Sequence, residues 1–161
     1  MNIFVVDECP YKAAQNLCDK HCVKMVLETA QILCTVANQK GYQSPYKSTH
    51  INHPAVKWTA SHSNNWLWVL AHGFGLCAEY TARYDKKHKC EDILIQLAKD
   101  SGSIWNTIIN LQDYKQHTPF VQCIPEQYKT SNAIEAYRAY YINDKKALAR
   151  WAYSERPSWF I

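Results

Sequence analysis

The 161-residue chain lacks any uninterrupted apolar stretch long enough to cross a bilayer, which excludes a predicted transmembrane helix. It also lacks the signature of a secretory leader. Met1-Asn2-Ile3-Phe4-Val5-Val6 runs at once into Asp7-Glu8, without a basic start or a long apolar region. The seven cysteines are odd in number and fall mostly inside apolar helical patterns, so they are predicted to be reduced core thiols of a soluble, cytoplasmic protein. Internal repeats, low-complexity tracts and linker-like segments are missing, and the length suits one domain with a real core. Charged residues make up only 20%, too few for a disordered acidic or basic tail to dominate. The net charge of +4 permits a polyanionic partner without demanding one.

Aromatic residues are plentiful at 13%, with six Trp and eleven Tyr. Such side chains fill cores, and they also stack on bases and sugars. The pattern predicts a mainly α fold, a compact single-domain helical bundle with a short extended N-terminal segment, monomeric in solution. Ile3 to Val6 reads as a strand or an extended buried run. Pro10 opens a helix through Leu17, and Asp19 caps a longer one through about Val36. Residues 38 to 53 read as a loop. Pro54 starts a helix reaching about Tyr84, broken near Ser61-His62-Ser63, with Glu79 and Arg83 spaced to pair on its surface. Further helices are predicted over Lys89 to Lys99, over Ile104 to Leu111, and from a Ser131 cap through Tyr137, Tyr141 and Leu148 to Trp151.

The second helix is unusual. At about 100° per residue, Lys20, His21, Lys24, Glu28, Gln31 and Thr35 fall within roughly one 100° arc. Nearly everything else from Cys22 to Val36 is apolar, so the helix should be mostly buried with one polar strip facing a cleft or a small solvent window. Lys24 and Glu28 are four apart and should touch, which is either an ordinary surface ion pair or part of a reactive group with His21. Metal readings are weaker. Cys18, His21 and Cys22 lie at helical spacing, but the cysteines face the apolar side and no second pair stands at zinc spacing. No Glu-x-x-His motif is present for a di-iron site. Neither a metal nor an organic cofactor is expected.

The block Ile3-Phe4…Leu17-Cys18-Asp19-Lys20-His21…Glu28 resembles the pyrimidine-dimer DNA glycosylases of the phage endonuclease V type, in which a short N-terminal segment precedes a helix with a Leu-x-Asp-x-His…Glu pattern. Asn52-His53-Pro54 resembles an Asn-His-Pro element of bacterial relatives, and Arg156-Pro157-Ser158-Trp159 resembles the family's Arg-Pro-Thr-Trp ending. The resemblance implies an all-helical fold and double-stranded DNA as substrate. It also implies an N-terminal amine that attacks C1′ of the damaged nucleotide, a Schiff base, and a glutamate that assists strand cleavage at the abasic site. Carried over, Glu28 takes the glutamate's place, His21 matches the histidine, and the amine belongs to Met1 or Asn2. Asn2 departs from the small residue that favours removal of the initiator Met, so Lys24 beside Glu28 stands as an alternative nucleophile. Asp7 to Lys12 lengthens the connection ahead of the helix.

Acting on a duplex requires phosphate clamps and an aromatic shelf for a displaced nucleotide. The clamp candidates are Lys20, Lys47, His50, His53 and Lys57, with Asn52 and Arg156 as further DNA-binding residues, and the shelf candidates are Trp66, Tyr84 and the terminal Trp159 with Phe160. Two other readings compete with the glycosylase. One is a nucleotide- or base-modifying enzyme in which His21, Glu28 and Asp19 move protons or bind a divalent ion. The other is a nucleic-acid-binding module without catalysis.

Overall fold

A computed structural model describes residues 1–161, and it is all-helical with no strand. Ile3–Val6 is extended and buried but pairs with nothing in a ladder, so of the two readings of this run the extended one holds. Seven α-helices follow: α1 Pro10–Asn16, α2 Asp19–Gln39, α3 Pro54–Ser61, α4 Ser63–Tyr84, α5 Glu91–Lys99, α6 Ser101–Trp105 and α7 Ala133–Asp144. Two 3-10 turns, Leu111–Gln116 and Glu126–Tyr128, interrupt the long connection before α7. None of the helices is long and apolar enough to cross a membrane.

The centre of the bundle is α4, which packs against α1, α2, α3 and α5. Two glycines let it do so. A Cβ at Gly73 would lie 2.9 Å from Leu94 Cδ1 and 3.0 Å from Thr29 Cγ2, and one at Gly75 would lie 2.9 Å from Ala14 Cβ. The helix therefore touches α2, α5 and α1 at backbone distance. As its composition demands, α2 buries thirteen of its 21 residues, Cys22, Met25, Val26 and Leu33 among them. All seven cysteines are free thiols.

Helix ends show where local signals yielded to distant partners. Asp19 does not cap α2; Cys18 holds that position, and Asp19 begins the helix. Its carboxylate is taken by Arg83 (3.2 Å) and by the Ala152 N–H (2.6 Å). Asn132, not Ser131, caps α7, its side-chain oxygen accepting from Ile134 N and Glu135 N. That helix stops at Asp144 and does not reach Trp151, because the chain turns back on α2: Arg150 O accepts from Asp19 N, and the Trp151 indole donates to Asn16 O. The short helix expected over Ile104–Leu111 lies earlier, at α6. The Glu79–Arg83 pair is no surface pair. The Arg83 side chain is 1% exposed, bonded to both Glu79 and Asp19 and to the carbonyls of Gln15 and Leu17.

Histidines do unusual structural work. The ring Nδ1 atoms of His53, His62 and His88 each accept a backbone N–H at 3.1 Å, from Ala55, Asn64 and Cys90. Burial holds His53 and His88 below the ordinary imidazole range, and pushes fully buried His72 and nearly buried His21 down to about 4. Between pH 6.5 and 4 the unfolded chain therefore binds more protons than the folded one. Stability is complete above about pH 6.5 and falls on acidification, by roughly 2 kcal/mol at pH 5 for each of His21 and His72. Urea unfolding at pH 7 and pH 5 checks this; equal midpoints would contradict it.

Candidate active site

The polar strip of α2 meets the N-terminal segment. Glu28 lies in the middle of the helix with its side chain only 12% exposed, and three nitrogens surround its carboxylate. The backbone N–H of Asn2 donates to Oε2 at 3.0 Å, the amino group of Met1 lies 3.9 Å from the same oxygen, and Lys24 Nζ lies 3.3 Å from Oε1. Lys24 is itself 64% exposed.

The N-terminal segment is held in place by its own side chains. Asn2 Oδ1 accepts from the Ile3 and Phe4 N–H groups (2.7 and 3.3 Å), and its Nδ2 donates to Cys123 O at 2.8 Å. Phe4 has φ +55, a left-handed conformation that costs a bulky residue free energy. Its ring stacks on His21 (centroids 4.5 Å, planes 19° apart) and meets Tyr141 edge-on at 5.6 Å, which compensates. The turn so formed aims the Asn2 nitrogen at Glu28. The Met1 side chain is 4% exposed and packs against the core beside that carboxylate.

His21 lies two turns before Glu28 on the same face, buried to 6% exposure. Its Nδ1 is 2.7 Å from Tyr141 Oη. Its low pKa comes first from burial, then from Lys145, Lys24 and Lys20. Thr35, at the far end of the strip, is fully buried; its hydroxyl donates to Gln31 O at 2.8 Å and accepts the Thr49 N–H, which ties the loop after α2 to the helix. His53 lies close enough to feel both the N-terminal amine and Glu28.

The structure thus brings Met1, Asn2, Lys24 and Glu28 together, with His21 and His53 beside them. Lys20, Lys47, His50, Asn52 and Lys57 are exposed. The aromatic shelf does not hold as expected. Trp66 is fully buried, its indole N–H bonded to Ser101 Oγ at 2.9 Å, so no base can reach it. Trp159 packs edge-on against Tyr141 and under Arg138, with its Nε1 buried, so it serves the C-terminal core. Tyr84 is half-buried against Tyr80 and Tyr153, and its hydroxyl donates to Asp19 O at the other end of α2. Arg156 is exposed on a cavity of about 490 Å³ lined with Gln15, Asn16 and Glu79 and by no residue around Glu28. Sequence reasoning missed Phe4, Cys123, Tyr141 and Lys145. Only the periodicity of α7 pointed at Tyr141, and it pointed to core packing.

No cluster of three or more His, Cys, Asp or Glu side chains is arranged to hold a metal ion. Compared with known proteins, the chain matches the family model of pyrimidine dimer DNA glycosylases over residues 1–92, from the N-terminal segment through the start of α5. Neither a curated protein nor a solved structure matches it. The matched part holds Met1, Asn2, His21, Lys24 and Glu28, and it ends before Arg156-Pro157-Ser158-Trp159. As it spans more than half of the chain, the protein belongs to the pyrimidine dimer DNA glycosylase family and has DNA as its substrate.

Proposed function

We propose that the protein removes a damaged pyrimidine from double-stranded DNA through its N-terminal amine and then cleaves the abasic strand, with Glu28 as the proton-transferring group. The observation that carries this reading is the Asn2 nitrogen, 3.0 Å from the Glu28 carboxylate, with the Met1 amine at 3.9 Å. An amine here would attack C1′, forming a C–N bond as the base leaves with its bonding electrons. The nitrogen then sheds a proton to the carboxylate, which is within reach, and its lone pair forms the C=N bond as the C1′–O4′ bond breaks; the sugar ring opens, and O4′ takes up the proton to become a hydroxyl. The iminium acidifies the C2′ hydrogen; removing that proton expels the 3′-phosphate and breaks the strand. Metal and organic cofactors have no part in this reading. The chain acts as one domain and as a monomer, inside the cell.

Of the three nitrogens, we favour that of Asn2, freed by a processing step other than the usual removal of Met before a small residue. Its side chain is already anchored at Cys123 O, and departure of the packed Met1 side chain would open room for a sugar in front of Glu28. Lys24 is largely solvated, without the apolar surroundings that activate a lysine nucleophile. Borohydride reduction with dimer-containing or abasic duplex is expected to trap a covalent adduct, and mass mapping to place it on the N-terminal peptide beginning at Asn2. An adduct on Met1 would move the nucleophile by one residue. An adduct on Lys24 would overturn the N-terminal assignment, and no adduct on either duplex would overturn the mechanism.

The DNA face in this reading comprises the exposed Lys20 and Lys24 on α2, Lys47, His50 and Asn52 in the loop, and His53 and Lys57 at the start of α3. These are backbone contacts, so affinity should fall steeply with salt. Replacing Lys47 and Lys57 together by Ala is expected to weaken duplex binding about tenfold at low salt and to flatten the salt dependence by about two phosphate contacts. An unchanged slope measured by fluorescence anisotropy would place the DNA elsewhere.

A further inference from the structure

Tyr141 of α7 is fully buried, and its hydroxyl stands between two groups of α2. The Cys18 N–H, 3.0 Å away, can only donate, so Oη accepts there. On the other side, 2.7 Å away, is His21 Nδ1, the one nitrogen or oxygen acceptor within reach of the hydroxyl; the Cys18 thiol beside it is a much weaker acceptor. A buried hydroxyl proton without an acceptor costs about as much as a lost hydrogen bond, so the Tyr141 proton points at Nδ1. Nδ1 must then carry a lone pair, and the imidazole's own proton sits on Nε2.

Nε2 makes no hydrogen bond within the protein, yet it is not enclosed, although His21 as a whole is 6% exposed. The Phe4 ring covers one face of the imidazole. The charged groups acting on it are Lys20 and Lys24 from α2 and Lys145 from the end of α7, with no carboxylate among them. A single N–H donor at a narrow opening among three ammonium groups suits one ligand chemistry, a phosphate oxygen.

We propose that Tyr141 is a positioning residue that locks His21 as the Nε2–H tautomer, and that this N–H donates to a backbone phosphate of the bound DNA, with Lys20, Lys24 and Lys145 supplying the charge. The inference rests on the DNA-cleaving reading for the source of the phosphate. Tyr141 and Lys145 lie beyond residues 1–92, so this half of the device comes from the part of the chain outside the family match. An imidazolium would need a proton on Nδ1 and would orphan the Tyr141 hydroxyl proton. The arrangement therefore keeps a neutral donor in place as pH changes, and the three lysines oppose protonation in the same direction.

The test uses full-length protein with ¹⁵N-labelled histidine. At pH 7 the His21 signals are expected to report the Nε2–H tautomer and to remain unprotonated at pH 5, and inorganic phosphate should shift the Nε2–H resonance. In Tyr141→Phe the tautomers should mix and protonation should begin at higher pH. An Nδ1–H tautomer in the wild type, or an unchanged tautomer in Tyr141→Phe, overturns the positioning role. Should Tyr141→Phe fail to fold, the wild-type tautomer and two His21 variants carry the test. His21→Gln, whose amide nitrogen reaches the place of Nε2, should bind duplex with a non-cleavable abasic analogue within about threefold of wild type, and His21→Leu about tenfold more weakly. Equal affinity of His21→Leu and wild type overturns the phosphate contact. Borohydride trapping is read separately: loss of the His21 effects with trapping intact sinks this inference alone, whereas absent trapping with those effects intact sinks only the cleavage reading.

Discussion

Glu28→Gln is expected to fold, to bind damaged duplex with near wild-type affinity, and to lose strand cleavage by about a hundredfold to ten-thousandfold. The amide keeps an oxygen where Oε2 now accepts the Asn2 N–H at 3.0 Å, so the N-terminal turn retains its anchor. What disappears is a base that can take a proton from the attacking amine and from C2′. Binding should not weaken, because the change removes one negative charge from the proposed DNA face. Gel assays of incision on dimer-containing and abasic duplexes, beside an anisotropy measurement of affinity, separate the two effects. Wild-type cleavage by Glu28→Gln would remove the carboxylate from the chemistry and leave Lys24–Glu28 as an ordinary ion pair. A parallel loss of binding and cleavage would show that Glu28 holds the N-terminal segment and does nothing more.

Arg83→Met is expected to be the most damaging single change to the fold, costing about 3–5 kcal/mol. The guanidinium joins α4 to the junction of α1 and α2: it bonds Gln15 O and Leu17 O at 2.9 Å, Glu79 at 2.9 Å and Asp19 at 3.2 Å. Methionine replaces its aliphatic stem but leaves two carboxylates, 17% and 13% exposed, without their cation and two carbonyls without donors. Against a total stability of about 5–15 kcal/mol, such a loss leaves little native protein at physiological temperature. Arg83→Lys should recover only part, since one ammonium cannot span four acceptors. Adding Glu79→Met to Arg83→Met should restore some stability by removing a stranded charge. Urea unfolding checks the series; a loss below about 1 kcal/mol for Arg83→Met would mean that water replaces the guanidinium.

The same residue shows why some of the molecule was legible in the sequence and some was not. A four-residue spacing on a helix announces that Glu79 and Arg83 touch, because helical geometry is local. Whether that pair faces water depends on Gln15, Leu17 and Asp19, more than sixty positions away, and no periodicity records their approach. Trp66 is a second case. An aromatic on an apolar helix reads equally as core or as a stacking shelf, and only the Ser101 hydroxyl beneath its indole decides for the core. Asp19 and Ser131 are good capping residues in isolation. The first was claimed by Arg83 and Ala152, and the second lost the position to its neighbour Asn132.

Around Glu28 the division is sharper. The one polar strip on an otherwise apolar helix singles out His21, Lys24 and Glu28 without any knowledge of the fold, since a helical face is a property of consecutive residues. The likeness of the first thirty residues to a known family added the N-terminal amine. What only the tertiary structure decided is the meeting of these parts. Asn2 reaches Glu28 because Cys123 receives its side chain and because Phe4 holds a left-handed turn against His21. Tyr141, 120 residues from His21, brings its hydroxyl to 2.7 Å from one of the two ring nitrogens. Short-range periodicity and charge settle what each helix presents; hydrogen bonds between distant segments settle what it presents it to.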